Sequence, residues 1–156
     1  VQIQNIMITN IYFDWGDTLA YPHMKNQFIK NKNANGVLYP DALDILQYLH
    51  KKYKIGIITN SKHSKKGFID ALKKSNLIQY FRGEIVFSNE VCKKPCKSIF
   101  LQALQKDNII PCNAIMIGNE YQNDIIGARK CGINTLYVNR DGFGDISNLW
   151  ELYYYL

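Results

Sequence analysis

Four residues able to do phosphate chemistry lie in the polar segments that follow short apolar runs of this chain. Asp14 follows Ile11-Tyr12-Phe13, Thr59 follows Ile57-Ile58, Lys94 lies in Lys93-Lys94-Pro95, and Asp124 closes the stretch Gly118-Asn119-Glu120-Tyr121-Gln122-Asn123-Asp124. An aspartate can attack phosphorus and carry it as an aspartyl phosphate. A hard cation such as Mg²⁺ takes oxygen ligands, commonly one or two carboxylates together with substrate phosphate and water. A lysine beside them offsets phosphate charge. Each residue taken singly fits a polar turn equally well, since Asp, Asn and Thr all favour turns. Four such motifs at successive strand ends, in this order, favour the chemistry.

The elements that must position them follow from the hydrophobic pattern. Strands are expected over residues 11–13, 55–59, 84–87, 114–117 and 135–138, each short and rich in Ile, Val, Phe or Tyr. Between them, Ala42, Ile45, Leu46 and Leu49 make a helical stripe after Pro40-Asp41, a good helix start. Phe68, Ala71 and Leu72 make a second, and Ile99, Phe100, Ala103 and Leu104 a third. A fourth helix is expected over 124–131, stopped by Gly132, and a short last one in 146–156. Residues 21–36, rich in Asn and Lys, are expected to form a loop or flap. Strands alternating with helices predict an α/β fold: a doubly wound, parallel five-stranded sheet with helices on both faces. In such sheets ligands bind outside the carboxyl ends of the strands, where the four residues lie.

Composition narrows the class. The 156 residues suit one domain, expected over 1–156 with a flap insert at about 20–38, and no internal repeat is evident. No apolar run approaches the roughly 20 residues of a membrane helix. The first ten residues lack a signal-peptide pattern, so a cytoplasmic location is expected. Cys92, Cys96, Cys112 and Cys131 form no zinc-type pair of doublets and are expected to be reduced. The net charge of +6 favours anionic partners without choosing among them. Lys62, His63, Lys65, Lys66, Lys93 and Lys97, with His23, Lys25, Lys30 and Lys32 in the flap, suggest either a basic collar for a polyanion or an ordinary lysine-rich surface. No nucleic-acid-binding motif accompanies them. Trp15 is expected to pack rather than wall a pocket.

The combination D-x-(D)-x-T-L after strand one, a strand ending in Thr, then K-P, then G-(D)-x₄-D followed by G-A resembles the haloacid dehalogenase superfamily, over residues 11 to about 140. The resemblance implies Asp14 as nucleophile and metal ligand, and Thr59, with Asn60 beside it, as phosphate-binding residues. It implies Lys94 as the bridge between nucleophile and phosphate. Mg²⁺ would be held by Asp14, the Gly16 carbonyl, Asn119 and Asp124. Only about twenty residues separate Thr18 from Pro40, too few for a helical cap, so the chain resembles the capless members, whose sites are open.

Two positions depart from the family pattern. The usual acid/base aspartate is Gly16, and Asp17, one residue later, should point elsewhere if the turn is retained. The first Asp of the last motif is Asn119, which predicts a weaker metal site. The expected activity is Mg²⁺-dependent hydrolysis of a phosphate ester or anhydride, favouring good leaving groups. The alternative is a weakened domain that binds a phosphorylated partner without efficient turnover.

Overall fold

The computed structural model describes residues 7–22, 24–31 and 36–156. Five strands, β1 (Asn10–Phe13), β2 (Lys54–Thr59), β3 (Ile85–Phe87), β4 (Ala114–Gly118) and β5 (Asn134–Tyr137), form one sheet in the order β3-β2-β1-β4-β5. Every pairing is parallel. The central strands are buried on both sides, which is why they appear as unbroken apolar runs rather than alternating ones.

Side chains alternate across the pleat and feed two cores. Ile11, Phe13, Ile55, Ile57, Ile85, Phe87, Ile115 and Ile117 enter one. There they meet helices α1 (Lys25–Asn31), α2 (Pro40–Leu49) and α3 (Lys65–Lys74) and the chain's final turns. Tyr12, Ile58, Val86, Ala114 and Met116 enter the other, against α4 (Lys97–Asp107) and the short α5 (Gly127–Arg129). Helices therefore cover both faces, as the pattern predicted. The helix signals also hold. Pro40 opens α2, Ser64 caps α3 by accepting the Gly67 N–H at 3.2 Å, and Asn108 closes α4 in the left-handed region.

Three expectations are corrected. Residues 21–36 are not only a loop, because they contain α1. Phe28 is fully buried, packing 5.3 Å from the Trp15 ring and 5.7 Å from Phe68. Burying such a side chain contributes roughly 1.5–3 kcal/mol, which holds two turns that propensity alone would not. The helix expected over 124–131 begins earlier, as a π turn over Tyr121–Ile126, and passes into α5. Cys92 and Cys96 are joined in a disulfide, not reduced. The chain folds back around Lys93-Lys94-Pro95 and brings their Cα atoms to 6.1 Å, inside the range a disulfide requires. The tail is a 3₁₀ segment, Leu149–Tyr154. Among the described residues no helix is long and apolar enough to cross a membrane.

Candidate active site

The strand order reverses between β1 and β4, so the crevice of the sheet opens at their carboxyl ends. Asp14 leaves β1 there, its N–H donating to the Ile117 carbonyl of β4 at 3.0 Å. The turn after β4 brings Asn119 and Asp124 to the same place. Asp124 folds back beneath the end of β4, where any Cβ on Gly118 would collide with its carboxylate. Glycine at 118 is thus a requirement of the close approach. Asp14, Thr59, Lys94 and Asp124 are all at most 6% exposed. Helix α1 contributes Lys25 to this region, its Nζ 3.4 Å from Thr59 Oγ1. The roomier surface hollows, of about 440 and 650 Å³, lie elsewhere on the molecule.

Lys94 is the hub. Its Nζ donates to Asp14 Oδ1 at 2.9 Å, to Asp124 Oδ1 at 2.6 Å and to the Ile58 carbonyl at 2.8 Å. An ammonium has three protons, and all three are engaged. Burial works against its charge, but Asp14 and Asp124 more than offset that and hold it above the ordinary lysine value. Burial, and then the charge of Asp14, lift the Asp124 carboxyl to about 6 against the pull of Lys94. The backbone of Lys94 is clamped by Asn60, whose Oδ1 accepts its N–H at 2.8 Å and whose Nδ2 donates to its carbonyl at 3.3 Å. The Asn60 side chain, expected to bind substrate, therefore positions Lys94. Thr59 Oγ1 is buried and faces Lys25 Nζ at 3.4 Å.

Asn119 decides whether a cation fits. One atom of its amide lies 2.9 Å from Asp14 Oδ2, 3.0 Å from the Gly16 carbonyl and 3.0 Å from Thr18 Oγ1. In the cation-free chain that atom is Nδ2, since an oxygen there would face two acceptors with no proton between them. Turned the other way, Oδ1 joins Asp14 Oδ2 and the Gly16 carbonyl in a cluster of three oxygens. Neighbouring ligands of an octahedral Mg²⁺ at roughly 2.0–2.1 Å lie about 2.9 Å apart, so this donor set fits the ion. Asp124 stands behind it, its Oδ2 held by the Glu120 N–H at 3.0 Å. Among the described residues no cluster of three or more His, Cys, Asp or Glu could hold a metal. The oxygen set depends instead on a backbone carbonyl and an amide.

The remaining expectations resolve as follows. Asp17, in the left-handed region at φ 62°, accepts the Tyr39 hydroxyl at 2.5 Å through Oδ1, while its Oδ2 lies 3.5 Å from the Asn119 amide. Gly16 does not adopt a positive φ, and a Cβ there would meet nothing within 4 Å. Trp15 packs, its ring edge-on to Phe68 at 4.8 Å. Of the supposed collar, Lys62, Lys66, Lys93 and Lys97 are exposed, while Lys65 pairs with Glu90 at 3.1 Å. His23 and Lys32 lie outside the described residues. Lys25 is not in a collar at all but reaches into the site. The sequence offered it only as one of several flap lysines, because α1, which aims it, was not foreseen. Thr18, fully buried beside Asn119, was equally without a signal beyond its place after Asp14.

Comparison with known proteins agrees with this geometry. The family model for haloacid dehalogenase-like hydrolases matches residues 4–138. The glyceraldehyde 3-phosphate phosphatase of Pyrococcus furiosus is 30% identical over 136 residues, covering 86% of this chain and 53% of that protein. The pyrimidine 5′-nucleotidase YjjG of Escherichia coli is 34% identical over 149 residues, covering 89% of this chain and 65% of that protein. The chain thus spans about half the length of the first relative and under two thirds of the second. Among solved structures, YfnB of Bacillus subtilis, bound to magnesium, superposes with a TM-score of 0.76 at 17% identity, covering 96% of this chain and 99% of that one. With the sheet order, the four strand ends and the family match all in agreement, the chain belongs to the haloacid dehalogenase-like hydrolases.

Proposed function

We propose that this chain is a Mg²⁺-dependent phosphohydrolase acting on a phosphate ester or anhydride through a phosphoaspartate at Asp14. The observation that carries the reading is the placement of Asp14. One of its carboxylate oxygens is held by Lys94 and the other faces Asn119, at the crevice of the sheet. The relatives named as a phosphatase and a nucleotidase support phosphate removal over dehalogenation. Mg²⁺, held by Asp14, the Gly16 carbonyl and Asn119 with Asp124 behind, would neutralise charge on the phosphate.

The chain's own residues supply the rest. Lys94 fixes the orientation of Asp14 and balances the two buried carboxylates, and Thr59 donates to a phosphate oxygen. Asp14 attacks phosphorus as the bond to the leaving oxygen breaks. Water then hydrolyses the acyl phosphate, releasing inorganic phosphate and restoring Asp14. No carboxyl stands at position 16 to protonate the leaving oxygen. General acid help is worth about 10²–10⁴-fold, so aryl phosphates, acyl phosphates and anhydrides, which leave without it, should be favoured.

The second reading, binding of a phosphorylated partner without efficient turnover, is favoured by Asn119, whose amide satisfies the same acceptors with no cation present. An aryl phosphate and a panel of metabolite phosphates assayed with Mg²⁺ and with chelator separate the two. Turnover that requires Mg²⁺ and vanishes in Asp14→Asn supports the enzyme. Phosphate binding with no turnover on any member of the panel supports the binding domain.

A further inference from the structure

Lys94 leaves a question open. A lysine beside the nucleophile is expected to bridge to the phosphate, but all three of its protons already go to Asp14, Asp124 and the Ile58 carbonyl. No donor remains for an incoming anion without breaking one of those bonds. Lys25 stands in the opposite condition. Its Nζ lies 3.4 Å from Thr59 Oγ1, a long contact, and makes no ion pair among the described residues. It sits 4.4 Å from the centre of the Phe87 ring and 5.3 Å from that of Phe68. The rings attract its charge but accept no conventional hydrogen bond, so its donors are largely unmet and point toward the Thr59 hydroxyl.

The charges around Asp14 tell the same story. Gly16 and Asn119 are neutral, and Asp17 lies on the far side of Asn119, its Oδ1 accepting the Tyr39 hydroxyl and its Oδ2 3.5 Å from the Asn119 amide. Asp14 and Asp124 therefore face two ammonium groups, Lys94 and Lys25, and this group of four is formally neutral. An anion approaching Asp14 from the Thr59 side meets two carboxylates already balanced by two ammonium groups, and one of those cations still has protons to give. Lys25 also begins α1, where the helix dipole disfavours a cation, so helix stability does not explain it. Burial pushes its ammonium down to about 8, with Asp14 pulling it up and Lys94 pushing it down.

We infer that Lys25 is a second phosphate-binding cation, supplied by the flap helix, and that with it this site binds a phosphoryl group in the absence of a divalent cation. The inference rests on reading the cleft beside Asp14 and Thr59 as a phosphate site. Lys25 reaches the phosphate from the Thr59 side, and the cation-free Asn119 amide occupies the side where Mg²⁺ would sit. Packing alone would account for the aliphatic stem of Lys25 but not for a charged end whose one hydrogen bond among the described residues is the long contact to Thr59.

The test is calorimetric titration of the full chain with inorganic phosphate, in chelator and again with Mg²⁺, for wild type, Lys25→Met and Lys25→Arg. Methionine keeps the unbranched stem and removes only the charge; arginine keeps the charge. Wild type is expected to bind phosphate in chelator. Lys25→Met should bind about tenfold or more weakly, the loss expected for one charge-assisted hydrogen bond, while Lys25→Arg stays within about threefold. Mg²⁺ should tighten Lys25→Met more than wild type. Because a variant can misfold, the wild-type chain with ¹⁵N-labelled lysine is titrated in parallel, and the Lys25 ammonium signal should shift with phosphate in chelator. Equal affinity of wild type and Lys25→Met in chelator, or no shift of that signal, overturns the role of Lys25. Binding that appears only with Mg²⁺ overturns cation-free recognition. No binding under either condition overturns the phosphate-site reading itself, and this proposal with it.

Discussion

Each end of the sheet holds a polar cluster built around a carboxylate. At the amino ends, Asp107 Oδ2 accepts the Tyr12 hydroxyl at 2.5 Å, the Asn10 amide at 3.2 Å and the Glu84 N–H at 3.0 Å. Every donor there is neutral and has its partner, and burial together with Asp107 raises the Tyr12 hydroxyl well above the ordinary tyrosine value. At the carboxyl ends, two carboxylates share one saturated ammonium, a second ammonium has one long contact, and an amide faces two acceptors. The first cluster is complete without a ligand. The second is arranged so that an anion would meet an ammonium with donors to spare, and a cation would meet oxygens that an amide alone otherwise satisfies. Local arrangements that do not close on themselves are expected at functional sites, and closed ones where polarity serves the fold.

Removing the hub of each cluster exposes the difference. Lys94→Met should abolish measurable hydrolysis. It should also destabilise the cation-free chain by about 3–5 kcal/mol, the usual cost of stripping one partner from a buried ion pair, read as a lowered melting midpoint. That cost depends on pH with a definite sign. A carboxyl whose folded pKa is raised costs stability above that pKa, and the cost falls away as pH drops toward the unfolded value. Asp124 already sits at about 6 with Lys94 present and rises further without it. The gap in melting midpoint between Lys94→Met and wild type should therefore narrow from pH 7 to pH 4 in chelator. A gap that widens on acidification would mean the two carboxylates do not repel.

Asp107→Ala, at the other end, should cost about 1–3 kcal/mol, the penalty for a buried donor left unmet. Its kcat and KM for an aryl phosphate should match those of wild type. A change in either would show that the amino-end cluster is coupled to the site.

The next contrast lies within the site. Asn119→Asp should tighten Mg²⁺ roughly tenfold, because a hard cation gains a charged oxygen. The same change should lower the melting midpoint in chelator, where the new carboxylate faces Asp14 Oδ2 and the Gly16 carbonyl with no proton to share. Unchanged Mg²⁺ affinity would place residue 119 outside the metal's reach.

The smallest expected effect comes from Gly16→Asp. With open space at its Cβ and an ordinary φ, the aspartate should be tolerated and should protonate a leaving alkoxide. Alkyl phosphates should gain roughly tenfold, a fraction of full general acid catalysis, while aryl phosphates change little. Equal losses on both classes would indicate a disturbed turn, and equal gains better metal binding.

The closed parts of the molecule were legible in the sequence. The strands showed because residues buried on both faces must be apolar, and α2, α3 and α4 because their stripes recur at helical spacing. That Asp14, Thr59, Lys94 and Asp124 would come together was legible because a parallel sheet delivers its strand ends to one rim, and Asn119 was singled out by the family motif the sequence resembles. What stayed hidden depends on long-range packing. Helix α1 packs Phe28 against Trp15 and Phe68, a contact that local periodicity in an Asn- and Lys-rich stretch does not reveal, and without it Lys25 could be named only as one flap lysine among several. The Cys92–Cys96 disulfide depends on the fold of the loop around Lys94, which spacing alone does not specify. Asn60 looked like a substrate ligand because its neighbour Thr59 does. Only the return of residues 92–96 to the end of β2 shows that its amide grips the Lys94 backbone.

The central claim is that Asp14 carries the phosphoryl group, and the direct measurement is intact-protein mass after rapid acid quenching during turnover of an aryl or acyl phosphate with Mg²⁺. The expected result is a species heavier by one phosphoryl group, mapped by peptide sequencing to Asp14, absent in Asp14→Asn and absent in chelator. Turnover without any such species, or with the added mass on another residue, would contradict the account.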